Sequence, residues 1–210
     1  MKTYRHVDEL LEVYGVKQSA IRKRLGEYAE IPQEKYFYEL LYCLMTPQSS
    51  AVNAGKAQSE FERLDYLHTD QNPEKILFRK EHYIRFHHSK SRWITEMKKN
   101  YSLIHQMTVG HLSAFEKREW FVKNVIGLSY KEATHFLRNI GKNEALAILD
   151  RHIMRNLKYH GVIRSIPSAL NKKRYLSIEK KFLTFAGEIG IPIDELDLLF
   201  WSKEAGEILK

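Results

Sequence analysis

Apolar residues recur three and four positions apart along nearly the whole chain, and no long stretch alternates polar with apolar side chains. That spacing is the period of a helix face, so the chain is expected to be all-α. Tyr36, Phe37, Leu40, Leu41, Leu44 and Met45 mark a strongly apolar helix that stops near Pro47. Further helices are predicted over 51–64 behind a Ser49 or Ser50 cap, from Pro73 through Leu77, and over 90–107. Others are predicted over 114–124 behind Ser113, 130–139, 150–159, 170–187 and 193–209, with Pro192 at the last start.

A chain of 210 residues suits one medium domain or two small lobes, and 43% hydrophobic residues suffice for a packed core without staples. Cys43 is the only cysteine, so neither an internal disulfide nor a four-thiolate metal or iron–sulfur site can form within the chain. The ten histidines show no ligand spacing, and no metal or cofactor is expected. The first eleven residues carry Lys2, Arg5, Asp8 and Glu9 and lack the apolar run of a signal peptide, and no stretch of 18 apolar residues exists. A reducing, cytoplasmic location fits. The net charge of +8 favours a polyanionic partner without identifying one.

The segment from Phe121 to Ala133 is the most informative. A helix ends, Gly127 permits a turn, and a second helix starts near Ser129 or Tyr130, which makes a helical hairpin. The amides that open the second helix lack intrahelical acceptors and suit a phosphate, although an ordinary hairpin has the same geometry. Lys131 sits in that first turn, at the positive end of the helix dipole, which is expected to destabilise the ammonium form. A neutral amine can attack carbon and form a Schiff base; a solvated surface lysine is the alternative. Asp150 follows the apolar run 145–149 and precedes Arg151-His152-Ile153. It is either a helix cap or a carboxylate that stabilises positive charge in a cleft.

These segments, Gly127-Leu128-Ser129-Tyr130-Lys131-Glu132-Ala133, Leu137-Arg138-Asn139-Ile140-Gly141 and Ile148-Leu149-Asp150-Arg151-His152-Ile153, together resemble the helix-hairpin-helix DNA glycosylase superfamily. The sequence is most similar to the second class of 8-oxoguanine DNA glycosylase/AP lyase, the short archaeal and bacterial type, from about residue 36 to 210. The resemblance implies two helical lobes with the active-site cleft between them. One lobe would comprise both chain ends, residues 1–34 and 151–210; residues 35–150 would form a bundle carrying the hairpin. It implies Lys131 as the nucleophile at C1′, Asp150 as the essential aspartate, and β-elimination at the resulting imine. Gly127 and Ser129 would meet the DNA backbone, and His152 a phosphate, unless it is a core or solvent-facing histidine. Gln48, in Thr46-Pro47-Gln48-Ser49, would fill the gap left by the extruded base, unless that segment is a plain interhelical turn. Trp201 and the terminal Lys210 would help form the base pocket, with Phe86 as a further stacking candidate.

Three departures accompany the resemblance. Ser129 stands where the hairpin usually has a second glycine, Ala205 stands where a threonine is expected near the end, and the cluster cysteines of endonuclease III-like relatives are absent. The implied activity is excision of 8-oxoguanine from double-stranded DNA followed by strand cleavage, by a monomer associated with the nucleoid. Selection would exploit the proton on N7, since an acceptor facing it would face a lone pair in guanine. The competing expectations are a glycosylase of the same fold for another damaged base, a non-catalytic helix-hairpin-helix DNA-binding module, and an unrelated basic helical interaction protein.

Overall fold

The computed structural model describes residues 3–205, which are largely helical with no strand among them. In chain order the helices are α1 (Val7–Ala29), α2 (Tyr36–Met45), α3 (Ala51–Arg63), α4 (Pro73–Leu77), α5 (His87–Lys99), α6 (Tyr101–Val109), α7 (Ala114–Asn124), α8 (Tyr130–Asn139), α9 (Arg151–Tyr159), α10 (Lys172–Ile189) and α11 (Ile193–Ala205). They form two compact units, one of Ile31–Ile140 and one of residues 3–30 with 141–205. None of the helices is long and apolar enough to cross a membrane.

The central unit is built around α2, whose ten residues are all buried. A helix apolar on nearly every side has no solvent face and must be wrapped, here by α3, α5, α6 and α8. Glu39 is the charged exception within it. Its carboxylate accepts from Gln58 Nε2 of α3 at 3.0 Å and from Asn139 Nδ2 of α8 at 3.1 Å, which offsets the loss of water. The single helix predicted over 90–107 is instead two, α5 and α6. Asn100 ends α5 by turning its side-chain amide onto the Glu96 carbonyl and carboxylate, both at 2.9 Å. The apolar stripe Ile94, Met97 and Ile104 continues across the break, so periodicity does not register it.

The terminal unit packs α11 against α1, α9 and α10. The apolar pattern delimits no helix ahead of Tyr36, yet α1 runs for 23 residues. Its buried residues, Leu10, Tyr14, Ile21 and Tyr28, make a sparse stripe of four in 23 residues. Glu195 of α11 fastens it, accepting from Tyr14 Oη at 2.6 Å and from Arg22 Nε at 3.1 Å.

The junction between units falls at 140/141, whereas the sequence reading draws it at 150/151. The run Leu146 to Leu149 is buried and pairs its backbone with α10. Glu179 Oε1 accepts from the Ala147 N–H at 3.0 Å, Tyr175 Oη donates to the Ala147 carbonyl at 2.7 Å, and Leu149 N–H donates to that hydroxyl at 3.2 Å. An extended strip satisfied by side chains of one helix belongs with that helix. Gly141 marks the entry at φ +66°, where an added Cβ would lie 2.5 Å from Ala29 Cα.

Candidate active site

The hairpin joins α7 to α8 through residues 125–129. Gly127 has φ +90°, and a Cβ there would sit 2.6 Å from the Trp93 ring of α5. Both the left-handed backbone and the close ring thus require glycine. Ser129 precedes α8 as its N-cap. Its hydroxyl and its N–H both donate to the Glu132 carboxylate, the latter at 3.2 Å. The Ser129 amide is therefore engaged within the cap of its own helix. Tyr130 Oη donates to Glu119 of α7 at 2.8 Å, and the Arg118 guanidinium lies 5.2 Å from the Tyr130 ring centre, which fixes one helix on the other.

Lys131 occupies the first turn of α8, with its side chain 21% exposed and Nζ 3.5 Å from Glu132 Oε1. Glu132, held by Ser129, is thus a fixed negative charge beside the amine.

Asp150 caps α9. One carboxylate oxygen accepts from the Ile153 N–H at 2.8 Å, and the other accepts from the Trp201 indole Nε1 at 2.9 Å. Both oxygens are oriented, one by the helix start and one by a side chain 51 residues further on. The His152 ring lies 5.5 Å from that of Trp201, tilted by 59°. Sequence reasoning has Trp201 only as a stacking surface and misses its bond to Asp150. No signal in the sequence links positions so far apart.

Gln48 and Phe86 are exposed and share an uncommon feature. Their φ values are +55° and +60°, in the left-handed region that few non-glycine residues adopt. Gln48 lies between α2 and α3; Phe86 precedes α5, with the Arg85 guanidinium 5.4 Å from its ring centre. Lys210 lies outside the described residues. Among the described residues Glu74, His87 and His88 come close enough to share an ion, their ligand atoms all within 4.8 Å, a grouping that spacing along the chain conceals. There His88 Nδ1 is already paired with Glu74 at 2.9 Å.

A helical hairpin with a lysine in its second helix, and an aspartate capping a later helix, define a helix-hairpin-helix protein of the DNA-glycosylase type. The model of the family described as "8-oxoguanine DNA glycosylase" matches residues 21–191, and the chain belongs to that family, in its short class. It is 39% identical to the 8-oxoguanine DNA glycosylase/AP lyase of Fusobacterium nucleatum over the full length of both. Among solved structures it superposes on the 8-oxoguanine DNA glycosylase of Thermotoga maritima with a TM-score of 0.85 at 32% identity, covering 97% of this chain and 98% of that one. It superposes on the Methanocaldococcus jannaschii 8-oxoguanine glycosylase/lyase, in complex with a 15mer DNA containing 8-oxoguanine, with a TM-score of 0.86 at 29% identity, covering 97% and 99%.

Proposed function

We propose that this chain performs the reaction of its relatives with Lys131 and Asp150 as the acting groups. The protein is a bifunctional glycosylase/AP lyase for 8-oxoguanine in DNA. The observation that carries the residue assignment is a partly buried lysine in the first turn of the hairpin's second helix, in a chain whose next helix is capped by a doubly oriented aspartate.

The chemistry follows from these groups. The hairpin holds a backbone phosphate at the start of α8, which fixes register without reading sequence. The lesion nucleotide is extruded at a cost of about a few kcal/mol, offset in part by phosphate contacts from the basic surface. Lys131 Nζ attacks C1′ as the glycosidic bond breaks, and the base departs with the N9 electron pair. Asp150 is an acceptor whose two oxygens are held still by Ile153 and Trp201. It stabilises the positive charge that develops on the sugar, with no reorganisation at the moment of reaction. Nζ then gives up a proton and O4′ gains one as the C1′–O4′ bond breaks, which opens the ring and leaves an iminium at C1′ that acidifies the C2′ proton. Loss of that proton expels the 3′ phosphate and cuts the strand. Trp201 and Phe86 supply ring faces for the purine, and Gln48 fills the gap in the stack. The protein acts as a monomer on a lesion-bearing duplex, and its affinity falls as salt rises.

Borohydride trapping on a duplex with one 8-oxoguanine tests the assignment. Wild type is expected to form a covalent adduct and Lys131→Gln none. Asp150→Asn is expected to slow adduct formation while keeping duplex affinity. An adduct that persists in Lys131→Gln would move the nucleophile elsewhere. Tight binding with neither adduct nor cleavage by wild type would indicate a binding module, and cleavage at an oxidised pyrimidine alone a different lesion.

A further inference from the structure

Lys90 is 1% exposed, and a buried charge is costly unless its hydrogen-bonding capacity is met. An ammonium has three N–H donors, and three acceptors converge on this one. They are the Met45 carbonyl at 2.6 Å, the Pro47 carbonyl at 2.7 Å and Ser49 Oγ at 3.1 Å. All three belong to the turn between α2 and α3, and Met45 closes α2 at the carbonyl end, where the helix dipole favours a cation. Ser49 Oγ also accepts from the Arg85 N–H at 3.1 Å, and Asn53 Nδ2 donates to the Tyr83 carbonyl at 3.2 Å. The turn is thus tied at several points to the segment that leads into α5. Burial lowers the Lys90 ammonium to about 8, with Lys131 and Arg85 lowering it and Glu132 raising it. With its donors spent, this ammonium has none to offer a phosphate, and the reaction assigned above makes no use of it.

The two segments that Lys90 joins carry Gln48 and Phe86, two of the six non-glycine residues with left-handed backbones among the described residues. Such conformations persist only where the surroundings hold them. We propose that Lys90 is a positioning residue whose ammonium clamps the 45–49 turn to the start of α5, holding Gln48 in place for the gap in the stack and Phe86 in place for the extruded purine. The clamp rests on the roles given above to Gln48 and Phe86. It acts before bond breaking, on extrusion and gap filling.

The test compares Lys90→Met, Gln48→Ala and the double variant. Three readouts are taken: single-turnover excision of 8-oxoguanine, fluorescence of 2-aminopurine beside the lesion, and borohydride trapping on a duplex with a pre-formed abasic site. Lys90→Met is expected to slow excision by about 10- to 100-fold, the size of a loss from misplacement rather than missing chemistry. It should flatten the 2-aminopurine rise and leave abasic-site trapping close to wild type. In the double variant excision should be no slower than in the worse single, because both changes disable one device. Wild-type excision by Lys90→Met, or effects that multiply in the double variant, would overturn the clamp. So would trapping that falls in step with excision, which marks general damage. If Gln48→Ala is silent in excision and fluorescence, the role of Gln48 fails and the clamp with it; if Gln48→Ala is impaired and Lys90→Met is not, the clamp alone fails. Should Lys90→Met not fold, the comparison is read with Lys90→Arg, which keeps the charge but cannot bring three acceptors to one nitrogen.

Discussion

Lys131 and Asp150 are placed in different ways. The surroundings of Lys131 are mostly local: α7, the Gly127 turn, the Ser129–Glu132 cap and α8 follow one another along the chain, with Trp93 and Lys90 of α5 as the distant neighbours. Asp150 is held by its own helix start on one side and, on the other, by an indole from the last described helix. The extended run that leads to it is satisfied by Glu179 and Tyr175 of α10. One side of the chemistry is thus encoded in a short contiguous stretch and the other in the tertiary packing of the terminal unit. A change near Lys131 should act abruptly and on one function, whereas a change around Asp150 should act by degrees through orientation.

The largest effect tests the local side. Lys131→Gln removes the only group assigned to covalent attack, so excision coupled to strand cleavage should fall by at least about 10³-fold while duplex affinity stays near wild type. Single-turnover cleavage with a parallel binding titration reads both. A matching loss of affinity would mean that Lys131 serves the hairpin's grip on phosphate instead.

Gly127→Ala comes next and separates scaffold from chemistry. It places a methyl where φ is +90° and the Trp93 ring lies 2.6 Å away. Backbone strain and overpacking together should cost about 2–4 kcal/mol of stability. Thermal and denaturant unfolding measure this directly, and affinity for undamaged duplex should fall because the turn presents α8 to the backbone. Unchanged stability would mean that the turn can relax and that its glycine serves DNA approach alone.

How much was legible follows the same division. The hairpin, Lys131, the Asp150 cap and most helices could be read from contiguous residues, because caps, turns and apolar periods are local signals. Asn100 was not, since a polar break does not interrupt an apolar stripe. The bond from Trp201 to Asp150 and the convergence of three acceptors on Lys90 are tertiary facts joining distant positions, and one sequence carries no trace of them. The unit boundary was misplaced for a similar reason: the run 145–149 looks like any buried segment until its partners on α10 are known.

The non-local side is tested by Trp201→Phe. The variant keeps a ring for stacking but removes the N–H that orients Asp150. Losing one hydrogen bond to a charged group should slow excision by about 10-fold, with a smaller effect on affinity for lesion-bearing duplex. The comparison sharpens if Trp201→Phe in an Asp150→Asn background slows excision no further, because the indole then acts through the carboxylate. Multiplying effects would leave Trp201 as a base-stacking surface only.

The smallest effect lies away from the chemistry and asks whether surface pairs add stability to the unit that carries the hairpin. Glu60 of α3 receives Arg63 at 2.7 Å and is paired with Arg79 as well, and the Arg63 hydrogen bond is the main reason its carboxyl falls from the usual 4.5 to about 2. A carboxyl lowered on folding contributes stability that is present above about pH 4.5 and is lost as pH falls through about 2. Both arginines are well exposed, so screening keeps the contribution to about 0.5–1 kcal/mol. Glu60→Gln should therefore be slightly less stable than wild type at neutral pH. The gap should narrow steadily below pH 4.5 and shrink in high salt, followed by denaturant unfolding. A gap that stays constant down to pH 2 would mean that Glu60 contributes through packing, and that the ion pairs linking α3 to the segment after α4 add nothing to the frame on which Gln48 and Lys131 are carried.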